Sequence, residues 1–394
     1  MAETDRESTA NALASALANA AFVRILARAD GDALAAAGVL ARALAARETP
    51  YQVSVVSTVD ARTARLEREP STPGACSVVI GPSSDYDADD RIHLDAVTAP
   101  SSLAAAEAVR ALGETPAYVL ALAGVAAAGV EPGTDGTEWL LEAATDAAVV
   151  TRRPGVAVPT AALAADLACL TLVCAPWSGD GDATRTLVTD VVGEETTELT
   201  DDDHRRLASV VALDVVADEA VSDNGAHAVR RAIHPWVTPD APYATVGGLA
   251  DVLEATAVSA PGTGVALTID HGAREAALST WRDHGRRVHD ALEDASTNRY
   301  DGLSVVHVPD LEDAVVGPLA ALAAAYRAPE DVVLAVGTDV AGVATVGERA
   351  AAPVASKAAA SLECTWDGGP RYGVVGPLDE RPAADVIEEV RAVV

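Results

Sequence analysis

A chain of 394 residues is long enough for two or more domains with a sizeable core. It carries 59 acidic against 28 basic residues, a formal net charge of −31, yet 49% of it is hydrophobic and only 3% aromatic. A disordered acidic chain would lack that apolar fraction, so the composition predicts a folded protein with a core of Ala, Val and Leu under an acidic coat.

Such a coat suits a salt-loving cytoplasm, where carboxylates keep a surface hydrated. It repels a phosphate backbone, and few aromatic platforms are available for stacking single-stranded bases. Any nucleic-acid contact therefore needs a local Arg cluster or a partner protein; Lys357 is the only lysine. Cys76, Cys169, Cys174 and Cys364 form no CxxC pair and read as buried free thiols rather than a zinc site. The first residues are acidic, with no basic n-region, so no signal peptide is expected. No apolar run reaches the ~18 residues of a membrane span, and a soluble, cytoplasmic protein is expected.

In chain order, residues 1–20 read as an opening helix. Phe22 to Arg28 is a short apolar run expected to form a buried strand. Asp30-Gly31-Asp32 is a tight turn, with Asp as a helix cap, and the Ala/Leu-rich stretch to Leu44 is a helix. Tyr51 to Ser57 supplies a second strand, Ala75 to Gly81 a third, and Arg91 to Asp95 a short fourth. Ser101 to Leu112, capped by its two serines, and Ala117 to Val130 are helices. This alternation predicts an α/β fold with a doubly wound, mainly parallel sheet, whose ligands would bind at the carboxyl ends of the strands. From Gly155 to about Pro261 the chain reads as mostly helical. One helix is expected from Pro159-Thr160 through Val173 and another from Arg205 to Val221, with the loop 176–182 and the acidic stretch 193–203 between them. Gly272 to Leu292 reads as a connector helix, with Asp270-His271-Gly272 as its cap. A new α/β segment starts at Gly302: strands at 304–308, 332–336 and 340–346, and helices at 317–326 and 354–362. The domain boundary falls near 295–302.

The turn also carries a family resemblance. Phe22 to Gly31 resembles the first motif of the DHH phosphoesterase superfamily, the RecJ-type nucleases, whose strand ends in His-x-Asp-x-Asp-Gly. Asp30 and Gly31 match it; Leu26 stands at the His and Arg28 at the first Asp. The second motif, an Asp closing the third strand, meets Ile80-Gly81-Pro82. The third, Asp-His-His, meets Ile92-His93-Leu94 with Asp95 just beyond. The fourth meets Gly124-Val125-Ala126-Ala127-Ala128. Near the end, Asp367-Gly368-Gly369-Pro370-Arg371 and Gly373 to Gly376 resemble the Gly-Gly-His and small-residue turn of the DHH-associated domain, with Pro370 at the His. Gly155 to Thr160, Trp177 to Asp180 and Glu275 to Val288 are similar to haloarchaeal RecJ-like proteins.

The resemblance implies a DHH-like α/β domain over 1–190, a helical connector over 191–300 and a smaller DHH-associated-like α/β domain over 301–394. It implies a site at Asp30, Gly31, Asp32, His93 and Asp95, and nucleic-acid contacts at Gly368, Gly369 and Arg371. Two-metal phosphodiester cleavage needs several carboxylates and imidazoles converging on the ions, and too few remain. The expectation is a catalytically degenerate protein with a vestigial pocket, needing no cofactor. The family's fork-associated member, which lacks nuclease activity and binds the MCM ring and GINS, makes GINS/MCM replication proteins the implied partners, with single-stranded DNA a weak one. The alternative is an exonuclease or small phosphodiesterase specific for single-stranded DNA, with Mn or Mg held by Asp30, His93 and Asp95 and supported by Asp32. A small-ligand sensor using the interdomain cleft is a third reading. Taken singly, Asp30-Gly31-Asp32 is a turn and cap, and His93 a structural histidine. The run Asp85 to Asp90 lacks the spacing of a calcium loop and reads as a solvated face.

Overall fold

The computed structural model describes residues 3–68, 72–82, 91–94, 99–193, 199–239, 241–270, 272–308, 311–347, 349–379 and 381–394, with side chains from residue 8 on. Asp85 to Asp90, Asp95, Glu194, Glu195, Glu198 and His271 lie outside the described residues.

The N-terminal lobe is a parallel sheet of Phe22–Arg28 (β1), Tyr51–Val56 (β2), Ala75–Ile80 (β3) and Arg91–Leu94 (β4) in the order β2-β1-β3-β4. β1 and β3 are apolar on both faces because helices cover both. On one face Ile25, Ala27, Val78 and Ile80 join the main core with helix Gly31–Ala46. On the other, Leu26 and Val79 meet Leu66 of helix Val59–Glu67. Small residues let helices Gly31–Ala46, Ser101–Ala111 and Tyr118–Ala127 approach closely. A Cβ on Gly124 would lie 2.5 Å from Ser102 Cβ and 2.7 Å from Ala35 Cβ. The expected cap of helix Ser101–Ala111 is corrected: its N-cap is Pro100, and its first amides are satisfied by Asp32 instead.

The middle of the chain is helical, with a two-stranded ribbon of Thr151–Arg152 (β5) and Trp236–Val237 (β6). Its expected first helix shrinks to Leu163–Cys169. The segment that follows is bound sideways instead: Thr171 to Asp251, the Leu172 carbonyl to Tyr326 Oη at 2.5 Å, and the Leu170 carbonyl to His289. Asp180, in the expected loop 176–182, caps a helix at Gly181–Val192 that starts at the end of that loop. A capping box of Thr200 and Asp203 starts the next helix at Asp201, and it ends at Ala217. Asp270 does not cap a following helix. It closes helix Pro261–Asp270 and accepts from the Gly272 amide, before helix Arg274–Glu293 begins.

On that last helix, His284 Nδ1 lies 3.0 Å from Ser259 Oγ, and His289 Nε2 lies 3.1 Å from the Leu170 carbonyl. Burial pushes both imidazoles down to about 4. They are neutral when folded, and the unfolded chain binds the extra proton between about 4 and the ordinary value of 6.5, so their contribution is complete above that window and lost as pH falls through it. At pH 5 His289 alone is expected to cost about 2 kcal/mol relative to pH 7.5. The acid-induced fall in unfolding midpoint should therefore be shallower in His289→Gln, and an unchanged slope would refute this assignment.

The C-terminal lobe is a six-stranded sheet of Ser296–Tyr300 (β7), Leu303–His307 (β8), Val332–Val336 (β9), Ala341–Thr345 (β10), Thr365–Gly368 (β11) and Tyr372–Gly376 (β12) in the order β11-β12-β10-β9-β8-β7. β8 and β9 are parallel, joined by helix Asp313–Tyr326; the other pairs are antiparallel. Val333, Ala335 and Ala344 face the core shared with the N-terminal lobe, while Val332, Leu334, Val336 and Val343 face helices Ala352–Leu362 and Ala383–Val393. Gly373 to Gly376 is not a turn but most of β12; the turn is Gly369 to Arg371, between β11 and β12.

Candidate functional site

β1 runs to Arg28 and the chain turns through Asp30 into the helix. Asp30 Oδ1 accepts from the Ala33 amide at 2.8 Å and caps it. Asp30 Oδ2 is ion-paired with the Arg28 guanidinium, which is itself buried and donates to the Gly368 carbonyl of β11. Burial pushes the Arg28 guanidinium down from its ordinary value, and Asp367 and Asp32 oppose that shift. The side chain is seated between two glycines. A Cβ on Gly81, whose φ is +119°, would come 3.0 Å from Arg28 Cβ, and one on Gly369 would come 2.6 Å from the guanidinium carbon.

Asp32 points away from this turn. Its oxygens accept from the Ser101 amide at 2.6 Å, the Ser102 amide at 3.0 Å and Ser102 Oγ at 2.6 Å, which ties it to the first turn of helix Ser101–Ala111. Burial raises its carboxyl above the usual range, against those hydrogen bonds. A second guanidinium, Arg62 of helix Val59–Glu67, is 1% exposed and grips Asp367 of β11 with two bonds of 2.6 and 2.8 Å. It also donates to the carbonyls of Val56, at the end of β2, and Pro82, just past β3. Glu254 of helix Val246–Ser259 completes the closure: it accepts from the Gly31 amide at 2.8 Å and from Tyr372 Oη of β12 at 2.5 Å. Burial and that carboxylate hold the Tyr372 phenol well above its ordinary range.

The strand ends of one lobe are thus bonded to β11 and β12 of the other by Arg28, Arg62 and Glu254. This arrangement does not fit the divalent metal that the resemblance to the DHH motifs implies. The carboxylate of Asp30 is shared between a helix amide and a fixed cation, and Asp32 is committed to Ser101 and Ser102. The position of Leu26 is filled by the apolar contact with Val79 and Leu66. His93 stands on β4 opposite Val79, which stands opposite Leu26, so it is two strands from β1 and four residues short of the Asp30 turn. Two strand spacings put its backbone about 10 Å from β1, and His93 joins no group of metal-holding side chains among the described residues. The structure brings together Asp30, Gly31, Gly368 and Gly369 around Arg28; it does not bring His93 to them, and Asp95 lies outside the described residues. Among the described residues no three His, Cys, Asp or Glu side chains could hold a metal ion.

Arg371 belongs to a neighbouring cleft of about 1070 Å³ between the lobes. It lies beside Arg231 across Gly129: a Cβ there would be 3.3 Å from Arg371 Cγ and 3.5 Å from Arg231 Nη1. Burial, and then the charge of Arg371, push Arg231 down to about 10. Two adjacent guanidinia are a favourable place for an anion in a chain otherwise dominated by carboxylates. Arg286 and Arg287 do not extend this patch, because they pair with Asp283 and Glu312.

Arg62, Glu254, Tyr372 and Arg231 are invisible in the sequence pattern, since the side chains they meet lie more than a hundred residues away. Asp367 sits in the glycine run, but its ion pair with Arg62 has no local signal.

A family model described as "Uncharacterized protein rrnAC1427, C-terminal domain" matches residues 295–392. A protein of Haloarcula marismortui, "Uncharacterized protein rrnAC1427", is 41% identical over 405 residues, covering 100% of both chains. Among solved structures, CDC45 from Entamoeba histolytica is similar with a TM-score of 0.61 at 8% identity, over 99% of this chain and 98% of that one. RecJ from Thermus thermophilus in complex with Mn²⁺ matches with a TM-score of 0.46 at 16% identity, over 98% of this chain and 54% of that one. The α/β class expected from the alternation of strands and helices is observed, and the fold is shared with the CDC45 structure. No helix of the described residues is long and apolar enough to cross a membrane.

Proposed function

The chain belongs to the family of the Haloarcula marismortui protein rrnAC1427, and from that premise we propose that it is a catalytically silent RecJ/DHH-like scaffold of the DNA replication or repair machinery. The single observation that carries this reading is Arg28. A permanently charged side chain sits on Asp30 at the carboxyl end of β1, where two-metal hydrolysis would need an electron-pair donor and an exchangeable cation. GINS and the MCM ring are the proposed partners, taken from the RecJ-type resemblance. Single-stranded DNA is a secondary contact, assigned to the Arg231–Arg371 cleft; of the residues the resemblance implies for it, Arg371 lines that cleft, while Gly368 and Gly369 are buried against Arg28.

The test is hydrolysis of labelled single-stranded DNA in high potassium chloride with Mn²⁺ or Mg²⁺, run beside a pull-down with purified GINS. No strand cleavage above the metal-only control, together with retention of GINS, is the expected result. Metal-dependent cleavage that disappears in Asp30→Ala would overturn the silent pocket, and loss of GINS at every salt concentration would overturn the partner.

A further inference from the structure

We propose that the Arg28 guanidinium is a built-in replacement for the divalent cations of the ancestral pocket, and that it clamps the two lobes shut without any metal. The inference rests on the silent-pocket reading and goes beyond it, because losing a ligand explains an absent activity but not a constructed substitute.

Three observations point to construction. Arg28 is bonded to both lobes at once, through the Asp30 carboxylate on its own turn and the Gly368 carbonyl on β11. A metal bridging a strand-end carboxylate and an oxygen of the second lobe would make the same connection. Its seat is shaped to it, since Gly81 and Gly369 leave room that a Cβ at either position would take from the side chain. Finally, the neighbouring charges are arranged around a cation. Arg28 and Arg62 lie among Asp30, Asp367 and Asp32, and Asp367 is taken up by Arg62 rather than left facing Arg28 alone.

A guanidinium differs from a metal in ways that matter here. It is planar, presents five donors in a fixed fork, keeps its proton, and is covalently attached, so its occupancy does not depend on metal concentration. Buried pairs are also screened by salt much less than exposed ones. Closure of this cleft is therefore constitutive, whereas a metal-held cleft would loosen on chelation.

The experiment uses the full chain in its working salt and reads the unfolding midpoint and the solution radius of gyration, with MnCl₂ or with EDTA. The wild type is expected to give the same midpoint and radius in both. Arg28→Asp removes the cation and supplies an oxygen donor beside Asp30 and the Gly368 carbonyl, a donor set suited to Mn²⁺. This variant is expected to be less stable and more open in EDTA, and to gain roughly 3 °C when Mn²⁺ exceeds its Kd about a hundredfold. Arg28→Met removes the cation without supplying a donor and should not respond to Mn²⁺, nor should Arg28→Asp combined with Asp30→Asn. A wild-type midpoint or radius that moves with Mn²⁺ and returns with EDTA overturns the proposal. So does an Arg28→Asp variant, folded or not, that Mn²⁺ fails to stabilise. Neither result depends on the cleavage assay or on GINS, so the clamp and the scaffold role fail separately.

Discussion

Arg62→Met is expected to destabilise the chain by about 3–5 kcal/mol, the cost of leaving one partner of a buried ion pair uncompensated. Asp367 holds the other half of that pair and is itself buried, so once the guanidinium is gone its carboxylate keeps the Gly368 amide at 2.8 Å and the more distant charge of Arg28. The carbonyls of Val56 and Pro82 lose a donor in the same step. Methionine keeps the volume of the stem, so the loss measures the charged head rather than a cavity. The double variant Arg62→Met with Asp367→Leu removes both charges and should recover a substantial part of the loss. Denaturant titration of the single and double variants checks this; additive losses would mean that the two side chains are not coupled as described.

Glu254→Leu is the second substitution with a large expected effect. Its carboxylate is the shared acceptor of two donors from different lobes, the Gly31 amide and Tyr372 Oη. Leucine fills the space and strands both donors in a buried site, at about 1–3 kcal/mol each. A total of about 2–6 kcal/mol follows, and Glu254→Gln, which retains an acceptor oxygen, should lose markedly less. Equal losses in the two variants would mean that shape, not hydrogen bonding, sets the requirement at this position.

The sheet of the N-terminal lobe is legible in the sequence because β1 and β3 are apolar runs bounded by turn residues, and helix Gly31–Ala46 follows an unmistakable cap at Asp30. β7 is not legible. Its residues Ser296 to Arg299 are exposed, and it is fixed by pairing with β8 rather than by its own pattern. The stretch after Cys169 misleads for the opposite reason, since an apolar run with helical composition is held out of a helix by Asp251, His289 and Tyr326 from distant segments. The same distinction governs the candidate site. The replacements at Leu26 and Arg28 can be read directly, whereas their consequence cannot, because what Arg28 touches is supplied by Gly368 and Gly369, some 340 residues on.

The most direct measurement is anomalous scattering from crystals soaked in manganese. With Arg28 on Asp30 and Asp32 turned to Ser101 and Ser102, no ion is predicted at the carboxyl ends of β1 and β3. A pair of adjacent manganese peaks there, with the Arg28 side chain displaced from Asp30, would contradict the account.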